Sequence, residues 1–275
     1  MSTPRPPRIL AIAGSDSSGG AGIQADIKSI TMLGGYAMTA ITAITAQNTI
    51  GVQGIAALAP ELVAQQIASC ITDIGVDAVK IGVLHDAEII AAVAEALEGV
   101  AAPIVVDPVM IATSGAALIA PEAVAAMRER LFPRAALITP NLPELAHLTG
   151  SALPDDAAIM AAASALASAT GAHVLAKGGH AEGDVVIDLL VAPDGERFRH
   201  ESPRIDTCHT HGTGCTLSSA VATLLGRGTP LDEAVRLARQ FVLDAIAAAP
   251  GFGAGHGPLG HQAVRAAQTS GVSAK

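Results

Sequence analysis

The sequence predicts a doubly wound α/β protein, in which helices cover both faces of a mostly parallel β-sheet. Short aliphatic runs alternate along the chain with longer segments that have helical periodicity. Hydrophobic residues make up 50% of the 275 residues, yet there are only four Phe, one Tyr and no Trp. An aliphatic core of this kind suits parallel strands that are buried on both faces. Ligands bind at the carboxyl ends of the strands in such sheets, so polar residues at those ends are candidate site residues.

Strands are predicted where aliphatic residues, or alternating Thr and Ile, form runs that turn residues interrupt. The first, 8–13, ends at Gly14, and a loop of small residues follows it to Gly20. The second, 36–46, ends just before Gln47. The remaining predicted strands are 78–81, 104–107, 136–139, 173–177, 185–191 and 197–200. The last two flank Pro193-Asp194-Gly195, which predicts a hairpin turn.

Helices are predicted where apolar residues recur three and four positions apart. The predicted helices are 21–33, 60–74, 87–97, 121–131, 155–169, 213–225 and a last helix that begins after Thr229-Pro230. The sequence contains no internal repeat, low-complexity linker or change of composition that would mark a domain boundary. We therefore expect a single domain over residues 1–275, with flexible tails at 1–7 and 268–275.

Charge and cysteine content restrict the class of function. A formal net charge of -9 disfavours binding to nucleic acid, so any phosphate must be held by backbone N–H groups and a few placed cations. The three cysteines, Cys70, Cys208 and Cys215, are an odd number, which favours a reducing compartment over a disulfide framework. The first apolar run, 9–13, is too short for the core of a signal peptide. We expect a soluble cytoplasmic protein without a membrane span.

One glycine-rich segment carries the strongest chemical signal. Gly212, Thr213, Gly214 and Cys215 directly precede or begin an amphipathic helix. Glycines there let the backbone turn tightly, and the free N–H groups of the first helical turn then form an anion site. A glycine pair before a helix can equally be a simple cap. Cys215 could have a lowered pKa in the first turn of the helix, or could be a small core residue, and position alone favours neither.

A metal site is the alternative interpretation of the same segment. Cys208, His209, His211 and Cys215 are all residue types that bind metals. Their spacing matches none of the usual zinc patterns, and three of them crowd into four positions, which tetrahedral sites rarely allow. The spacing therefore disfavours a metal centre here.

Further short motifs extend over nearly the whole chain, and their joint order is far more specific than the glycine segment alone. They occupy residues 13–26, 45–49, 80–82, 107–110, 139–144, 177–180 and 211–216. With these motifs the chain resembles the hydroxymethylpyrimidine/phosphomethylpyrimidine kinases of thiamine biosynthesis, members of the ribokinase-like superfamily. The resemblance implies an α/β/α sandwich, usually a homodimer, that uses ATP and Mg²⁺. It also implies two successive phosphorylations of 4-amino-5-hydroxymethyl-2-methylpyrimidine.

The resemblance assigns the substrate contacts to five positions. Gln47 is expected to pair its amide with the aminopyrimidine, which offers a donor beside an acceptor. Gly14 would allow the substrate close to the first strand, and Asp26 would contact the hydroxymethyl region. Val83 and Val109 would wall the ring.

The resemblance also assigns the phosphate contacts. Asp107 and Glu144 are expected at Mg²⁺, since hard oxygen ligands suit this ion. Asn141, Lys177 and Thr213 would contact the nucleotide phosphates, and the Gly212–Cys215 segment would hold the transferred group. Asn141 and Glu144 could alternatively be a helix cap. Cys215 stands where ribokinase-like sugar kinases carry a general-base Asp, and the sequence leaves open whether its thiolate takes the proton.

Two departures and two alternatives accompany the resemblance. Val83 stands where relatives usually have Met, and His209 where they have Asn, so substrate breadth is open. One alternative is pyridoxal kinase activity, which Gln47 disfavours. The other is a non-catalytic protein that binds the pyrimidine precursor, which the complete set of phosphate-site residues disfavours.

Overall fold

The computed structural model describes residues 5–110, 120–181 and 183–264. Residues 1–4 and the predicted tail at 268–275 lie outside this part of the chain. The chain is already packed at Pro7, which is buried and whose carbonyl oxygen accepts a hydrogen bond of 2.8 Å from the backbone N–H of Tyr36.

Nine strands form one sheet within the described residues, in the order β3-β2-β1-β4-β5-β6-β7-β8-β9. The strands are β1 (Arg8–Asp16), β2 (Tyr36–Gln47), β3 (Val52–Ala57), β4 (Ala78–Ile81), β5 (Ile104–Val106), β6 (Leu137–Ile138), β7 (His173–Ala176), β8 (Val185–Val191) and β9 (Arg197–Pro203). The pairs from β2 through β1 and β4 to β7 are parallel. The pairs β2/β3, β7/β8 and β8/β9 are antiparallel, so antiparallel strands lie at both edges.

Helices cover both faces of this sheet. They are α1 (Gly22–Met32), α2 (Pro60–Asp73), α3 (Ala87–Ala96), α4 (Pro121–Arg130), α5 (Leu142–Thr149), α6 (Asp156–Thr170), α7 (Thr213–Gly226) and α8 (Leu231–Ala247). One apolar core lies between the sheet and α2 to α6, and the second lies between the sheet and α1, α7 and α8. The predicted doubly wound α/β fold, a three-layer sandwich, is thereby confirmed.

The elements agree with the sequence prediction except in a few places. β1 continues past Gly14 to Asp16, with a register irregularity between Ala13 and Ser15 in its pairing with β2. β3 and the short α5 were not predicted. The predicted hairpin turn is confirmed, because Gly195 has a φ of 93° between the antiparallel strands β8 and β9. Among the described residues, no helix has the length and apolar character that a membrane crossing requires.

Candidate active site

A cavity of about 730 Å³ lies at the carboxyl ends of the parallel strands, opposite the start of α7. This is where the doubly wound topology predicts a ligand. The cavity brings together twelve of the thirteen residues that the sequence analysis selected. They are Gly14, Gln47, Val83, Asp107, Val109, Asn141, Glu144, Lys177, Gly212, Thr213, Gly214 and Cys215.

The start of α7 is held against the loop after β1 by direct backbone packing. Gly212 is the N-cap residue and has a φ of 87°, in the left-handed region that favours glycine. A Cβ there would overlap the carbonyl oxygen of Gly20. A Cβ at Gly20 would in turn overlap the His211 ring. These contacts direct the free N–H groups of the first turn of α7 into the cavity, where the helix dipole favours an anion.

Lys177 and two carboxylates face this helix start. Nζ of Lys177 lies 2.8 Å from Oδ1 of Asp107, which also accepts a hydrogen bond from Thr139. Burial opposes the charge on Lys177, but the carboxylates of Asp107 and Glu144 outweigh it and raise the pKa of Lys177. Burial is the largest cause of a raised pKa at Glu144, and the negative charge of Asp107 adds to it. The surroundings therefore favour the charged form of Lys177 and disfavour the charged form of Glu144.

Asn141 and Glu144 form a capping box at the start of α5. The Asn141 side chain accepts a hydrogen bond from the Glu144 N–H at 2.9 Å, and the Glu144 carboxylate accepts one from the Asn141 N–H at 2.8 Å. Glu144 also accepts a hydrogen bond from the Met110 N–H at 3.3 Å. The helix cap that the sequence offered as an alternative is therefore present, and it lies in the wall of the cavity.

The Cys215 side chain is buried in the first turn of α7, 9% exposed. Burial raises the pKa of its thiol to about 11, although the positive charge of Lys80 opposes the shift. Of the two alternatives that the sequence left open, a lowered pKa or a small core residue, the structure favours the core residue, because desolvation outweighs the helix start and the nearby cation. The thiol therefore keeps its proton at neutral pH.

This thiol predicts a simple pH dependence. A group with a pKa of about 11 stays almost fully protonated throughout pH 6–9, so the rate does not follow its ionisation there unless the minor thiolate form is the reactive one. We expect Cys215→Ser, which keeps a small hydrogen-bonding side chain, to retain kcat within about tenfold. The ratio of wild-type to variant kcat should stay constant from pH 6 to 9. If the thiolate were the base, that ratio would rise about tenfold per pH unit.

Asp26 requires a correction. It was expected at the substrate, but its side chain has no exposed surface and lies outside the cavity lining. The carboxylate instead accepts hydrogen bonds from Nζ of Lys80 at 2.8 Å and from Oγ of Ser219 at 2.7 Å. Although burial opposes the charge on Lys80, the facing Asp26 carboxylate raises its pKa. This buried ion pair ties α1, β4 and α7 together beneath the site.

Asp16 and His211 are site residues to which the sequence analysis assigned no role in the kinase site, although His211 was considered as a metal ligand. Nε2 of His211 lies 2.9 Å from Oδ2 of Asp16, and both residues are buried at the cavity wall. The Gln47 amide lies 3.2 Å from the same Nε2 at one end and 3.2 Å from Oγ1 of Thr45 at the other. Asp16 and His211 are 195 positions apart, so only the fold could reveal their contact.

The far end of the cavity is lined by several apolar side chains and by a buried ion pair. Nε of Arg239 lies 2.7 Å from Oδ2 of Asp188, whose other oxygen accepts a hydrogen bond from the Gly178 N–H. Arg204 donates hydrogen bonds to the carbonyl oxygens of Gly179, Ala181 and Gly183, the loop that follows Lys177. The apolar side chains at this end are those of Val186, Ile205, Val242, Leu243 and Ile246.

The four residues of the alternative metal site point in different directions. Cys208 is exposed, with Sγ 3.9 Å from Nδ1 of His209. His209 packs against Gly257, outside the cavity lining, while His211 faces Asp16 and Cys215 is buried. The departure at His209 thus lies outside the cavity lining, whereas the departure at Val83 lies directly on the cavity.

The cavity therefore combines three features. The start of α7 can bind phosphate, and a lysine with two carboxylates can bind charged groups. An amide with apolar walls can bind a small polar ring. Phosphoryl transfer depends mainly on positioning and charge neutralisation, which are the properties that these groups supply. Fold and site together define a small-molecule kinase of the ribokinase-like type.

Comparisons with known proteins identify the family. The family model for phosphomethylpyrimidine kinase matches residues 16–260, and the chain belongs to this family. It is 48% identical to the hydroxymethylpyrimidine/phosphomethylpyrimidine kinase of Streptomyces coelicolor, over 93% of this chain and 94% of that protein. It is 49% identical to the thiamine biosynthesis bifunctional protein ThiED of Geobacter sulfurreducens over 92% of this chain, but spans only 52% of that longer protein. A solved Bacillus subtilis pyridoxal kinase in complex with ADP has a TM-score of 0.85 at 35% identity, over 94% of this chain and 98% of that one.

Proposed function

We propose that this kinase phosphorylates the hydroxymethyl group of 4-amino-5-hydroxymethyl-2-methylpyrimidine with ATP, and then phosphorylates the monophosphate to the diphosphate. Its family and its relatives named for these two steps support the proposal. The observation that carries it is the position of Gln47, because this amide shares one cavity with the phosphate-binding start of α7. An amide offers a donor and an acceptor side by side, as an aminopyrimidine edge does.

We place the pyrimidine between the loop after β1 and the carboxyl ends of β2, β4 and β5. Gln47 would read the ring edge, while Val83 and Val109 would cover its faces. Gly14 lines the same part of the cavity, where its lack of a side chain leaves room for the ring. The small Val83 leaves a wider pocket than a longer side chain would.

The transferred phosphoryl group is placed at the start of α7. The N–H groups of Gly212, Gly214 and Cys215 would stabilise the charge that develops on its oxygens, while the Thr213 N–H donates to the Thr210 carbonyl oxygen at 3.3 Å. A Cβ at Gly214 would lie 3.3 Å from Nζ of Lys177, so the ammonium group lies directly beside these amides. The acceptor hydroxyl would lie next to the protonated Cys215 thiol. A loose transition state needs little proton removal before the phosphoryl group moves.

Mg²⁺ fits the carboxylates that face Lys177. Asp107 and Glu144 together carry more negative charge than Lys177 balances, and the pKa of Glu144 is raised as a result of its burial and of Asp107. A hard divalent cation would relieve this excess while keeping several of its waters. When bound, it would neutralise charge on the nucleotide phosphates. We propose that Asp107 and Glu144 hold it, and that Asn141 orients Glu144.

The nucleotide base is placed in the apolar end of the cavity. Ile205 from the segment after β9 and Val242 from α8 line this end, and Arg204 braces the loop that runs from Lys177. The ADP complex of the similar Bacillus subtilis kinase supports a nucleotide in this fold. Asn141, Lys177 and Thr213 lie between this end and the pyrimidine end, where the phosphates would pass.

Steady-state kinetics test the proposed function. The full chain is assayed with ATP and Mg²⁺ against the aminopyrimidine alcohol, its monophosphate and pyridoxal. We expect both pyrimidine steps to proceed, with kcat/KM for the alcohol above that for pyridoxal. A clear preference for pyridoxal would make the chain a pyridoxal kinase. Binding of the pyrimidine without ADP production would instead make it a precursor-binding protein.

Removal of the Gln47 amide should weaken pyrimidine binding. Gln47→Ala leaves the amino group and ring nitrogen of the bound pyrimidine without partners, which costs about 1–3 kcal/mol. We expect a rise of about 5- to 150-fold in the dissociation constant of the pyrimidine, measured by calorimetry, and an unchanged KM for ATP. Gln53→Ala is the matched control, because Gln53 is an exposed glutamine of β3 outside the cavity lining. If both variants bound the pyrimidine equally well, Gln47 would not be the residue that recognises the ring edge.

Location and assembly complete the proposal. A cytoplasmic location agrees with the three free cysteines among the described residues and with the use of ATP. A homodimer, which the family resemblance implies, could bury the exposed Ile44 and Ile55 of the β2/β3 edge. Sedimentation of the full chain measures its oligomeric state.

A further inference from the structure

We infer that His211, held by Asp16, and Thr45 together fix the amide of Gln47 in one orientation, so that the site selects a ring with a hydrogen-bond donor on the His211 side. This inference rests on the proposed function, because Gln47 is the residue proposed to read the ring. It makes His211 and Thr45 positioning residues that determine specificity without being the reader themselves.

Asp16 determines which ring nitrogen of His211 carries a hydrogen. Asp16 accepts hydrogen bonds from the N–H groups of Ser18, Gly20 and Ala21, and from the Ser18 hydroxyl. Burial opposes its charge, but the bonds from His211 and this loop outweigh burial and lower the pKa of Asp16. Asp16 is therefore a carboxylate and can only accept. Nε2 of His211, 2.9 Å from Oδ2, must then carry the hydrogen, whether or not Nδ1 is protonated as well.

The hydroxyl of Thr45 has a fixed hydrogen-bond role. Its Oγ1 donates to the carbonyl oxygen of Ser15 at 2.9 Å. A carbonyl oxygen can only accept, so the single hydroxyl hydrogen of Thr45 is used there. Toward Gln47, 3.2 Å away, Oγ1 can therefore only accept.

These two neighbours make the same demand on the Gln47 amide. The single hydrogen on Nε2 of His211 is donated to Asp16, so this nitrogen has no lone pair with which to accept a hydrogen bond. The end of the amide that faces it must therefore be the oxygen, which shares that hydrogen only weakly, and the end that faces Thr45 must be the nitrogen. The two ends have nearly the same shape, so neighbouring donors and acceptors decide which is which. Rotation of the amide by half a turn about its last bond gives Oγ1 of Thr45 a donor at 3.2 Å and removes the amide N–H groups from Nε2–H. The opposite orientation would set two donors against each other at His211.

The fixed amide predicts how the ring lies. The amide oxygen keeps one lone pair for the ligand and the nitrogen keeps one hydrogen. The ligand must then present a donor on the His211 side and an acceptor on the Thr45 side. In the aminopyrimidine, the 4-amino group lies between the ring nitrogen and the 5-hydroxymethyl group. An amino group on the His211 side directs the hydroxymethyl group toward Gly212, the next residue and the start of the phosphate site.

A matched pair of substrates tests this orientation. In the 4-oxo analogue of the pyrimidine alcohol, a carbonyl acceptor replaces the amino donor at position 4 and the adjacent ring nitrogen carries a hydrogen, so both groups of the edge are reversed while the substituents at positions 2 and 5 are kept. We expect wild type to prefer the amino compound by about 10²–10⁴-fold in kcat/KM, because the analogue leaves polar groups unpaired. His211→Leu frees the amide to turn, so the preference should fall to within about tenfold.

Thr45 supplies a second variant and a matched control. Thr45→Val removes the acceptor with little change of shape, and should lower the preference for the amino compound at least about threefold. Thr45→Ser keeps the hydroxyl and should keep the wild-type ratio. The ratio of two substrates cancels any general loss of activity near the phosphate site, which a merely structural role would cause.

A spectroscopic measurement gives a readout that needs no turnover. In protein with ¹⁵N-labelled histidine, Nε2 of His211 should give the signal of a protonated ring nitrogen without ligand. An unprotonated Nε2 would overturn the inference even if no substrate were phosphorylated. Turnover of the amino compound with a preference that neither His211→Leu nor Thr45→Val changes would also overturn it, while leaving the proposed function intact.

Discussion

Gly212→Ala is expected to lower kcat by about 10²–10³-fold, the effect of losing a well-placed backbone donor at a phosphate-binding helix start. Alanine strongly disfavours the φ of 87° at this position, and its Cβ would overlap the carbonyl oxygen of Gly20. The backbone must move, and the N–H groups of Thr213, Gly214 and Cys215 move with it. Steady-state kinetics of the aminopyrimidine reaction measure the loss.

Gly228→Ala is the matched control for this change. Gly228 has a φ of 89° just after the other end of α7, and a Cβ there would meet no atom of the described residues within 4 Å. We expect this variant to lose about 1–2 kcal/mol of stability from the left-handed backbone and to keep its kcat. If Gly212→Ala turned over as fast as Gly228→Ala, the start of α7 would not be the phosphate site.

Lys80→Met is expected to cost about 3–5 kcal/mol of the free energy of unfolding, because it leaves the Asp26 carboxylate buried without its cation. Both side chains of this pair have 0% exposure, so water cannot compensate for the loss. Chemical denaturation followed by circular dichroism measures the change. The double variant Lys80→Met/Asp26→Leu removes the stranded charge as well, and should recover much of the lost stability.

A surface ion pair provides the comparison for the Lys80 experiment. Arg236 and Glu233 lie on α8 with side-chain exposures of 59% and 41%, and solvent screens their attraction. Arg236→Met should therefore leave the unfolding midpoint nearly unchanged. A Lys80→Met variant as stable as Arg236→Met would contradict the buried position of the Lys80–Asp26 pair.

The sequence predicted the parts of the fold that burial dictates. β1 and β5 are continuous aliphatic runs, and both are fully or almost fully buried strands. β3 was missed because five of its six residues are exposed and it contains Gly54, so neither an apolar run nor alternation marks it. α5 was missed because it is only eight residues long and begins Leu-Pro. Local pattern carries little information for such elements.

Site residues that belong to a sequence motif could be predicted, whereas contacts that only the folded topology creates could not. Lys177, Asp107 and the Gly212–Cys215 segment were selected from motifs and converge on the cavity. Asp26 was expected at the substrate. Nothing near it in the sequence predicts its partner Lys80, which is 54 positions away. The pairing of His211 with Asp16 likewise depends on strand order and on the crossing of two loops. The pKa of Cys215 depends on how deeply α7 is buried, which its sequence does not state.

The backbone contact between Gly20 and Gly212 has a consequence for how this enzyme can change. A Cβ at Gly212 would overlap the Gly20 carbonyl oxygen, and a Cβ at Gly20 would overlap the His211 ring, so neither loop has room for a side chain where the two loops meet. Directed evolution toward a new alcohol substrate is therefore expected to leave Gly20 and Gly212 unchanged. Adaptive changes should instead accumulate at Val83 and Val109, whose side chains border the ring and can change size without moving the backbone. In a library of variants, the two glycines should therefore stay constant while the residues at positions 83 and 109 vary.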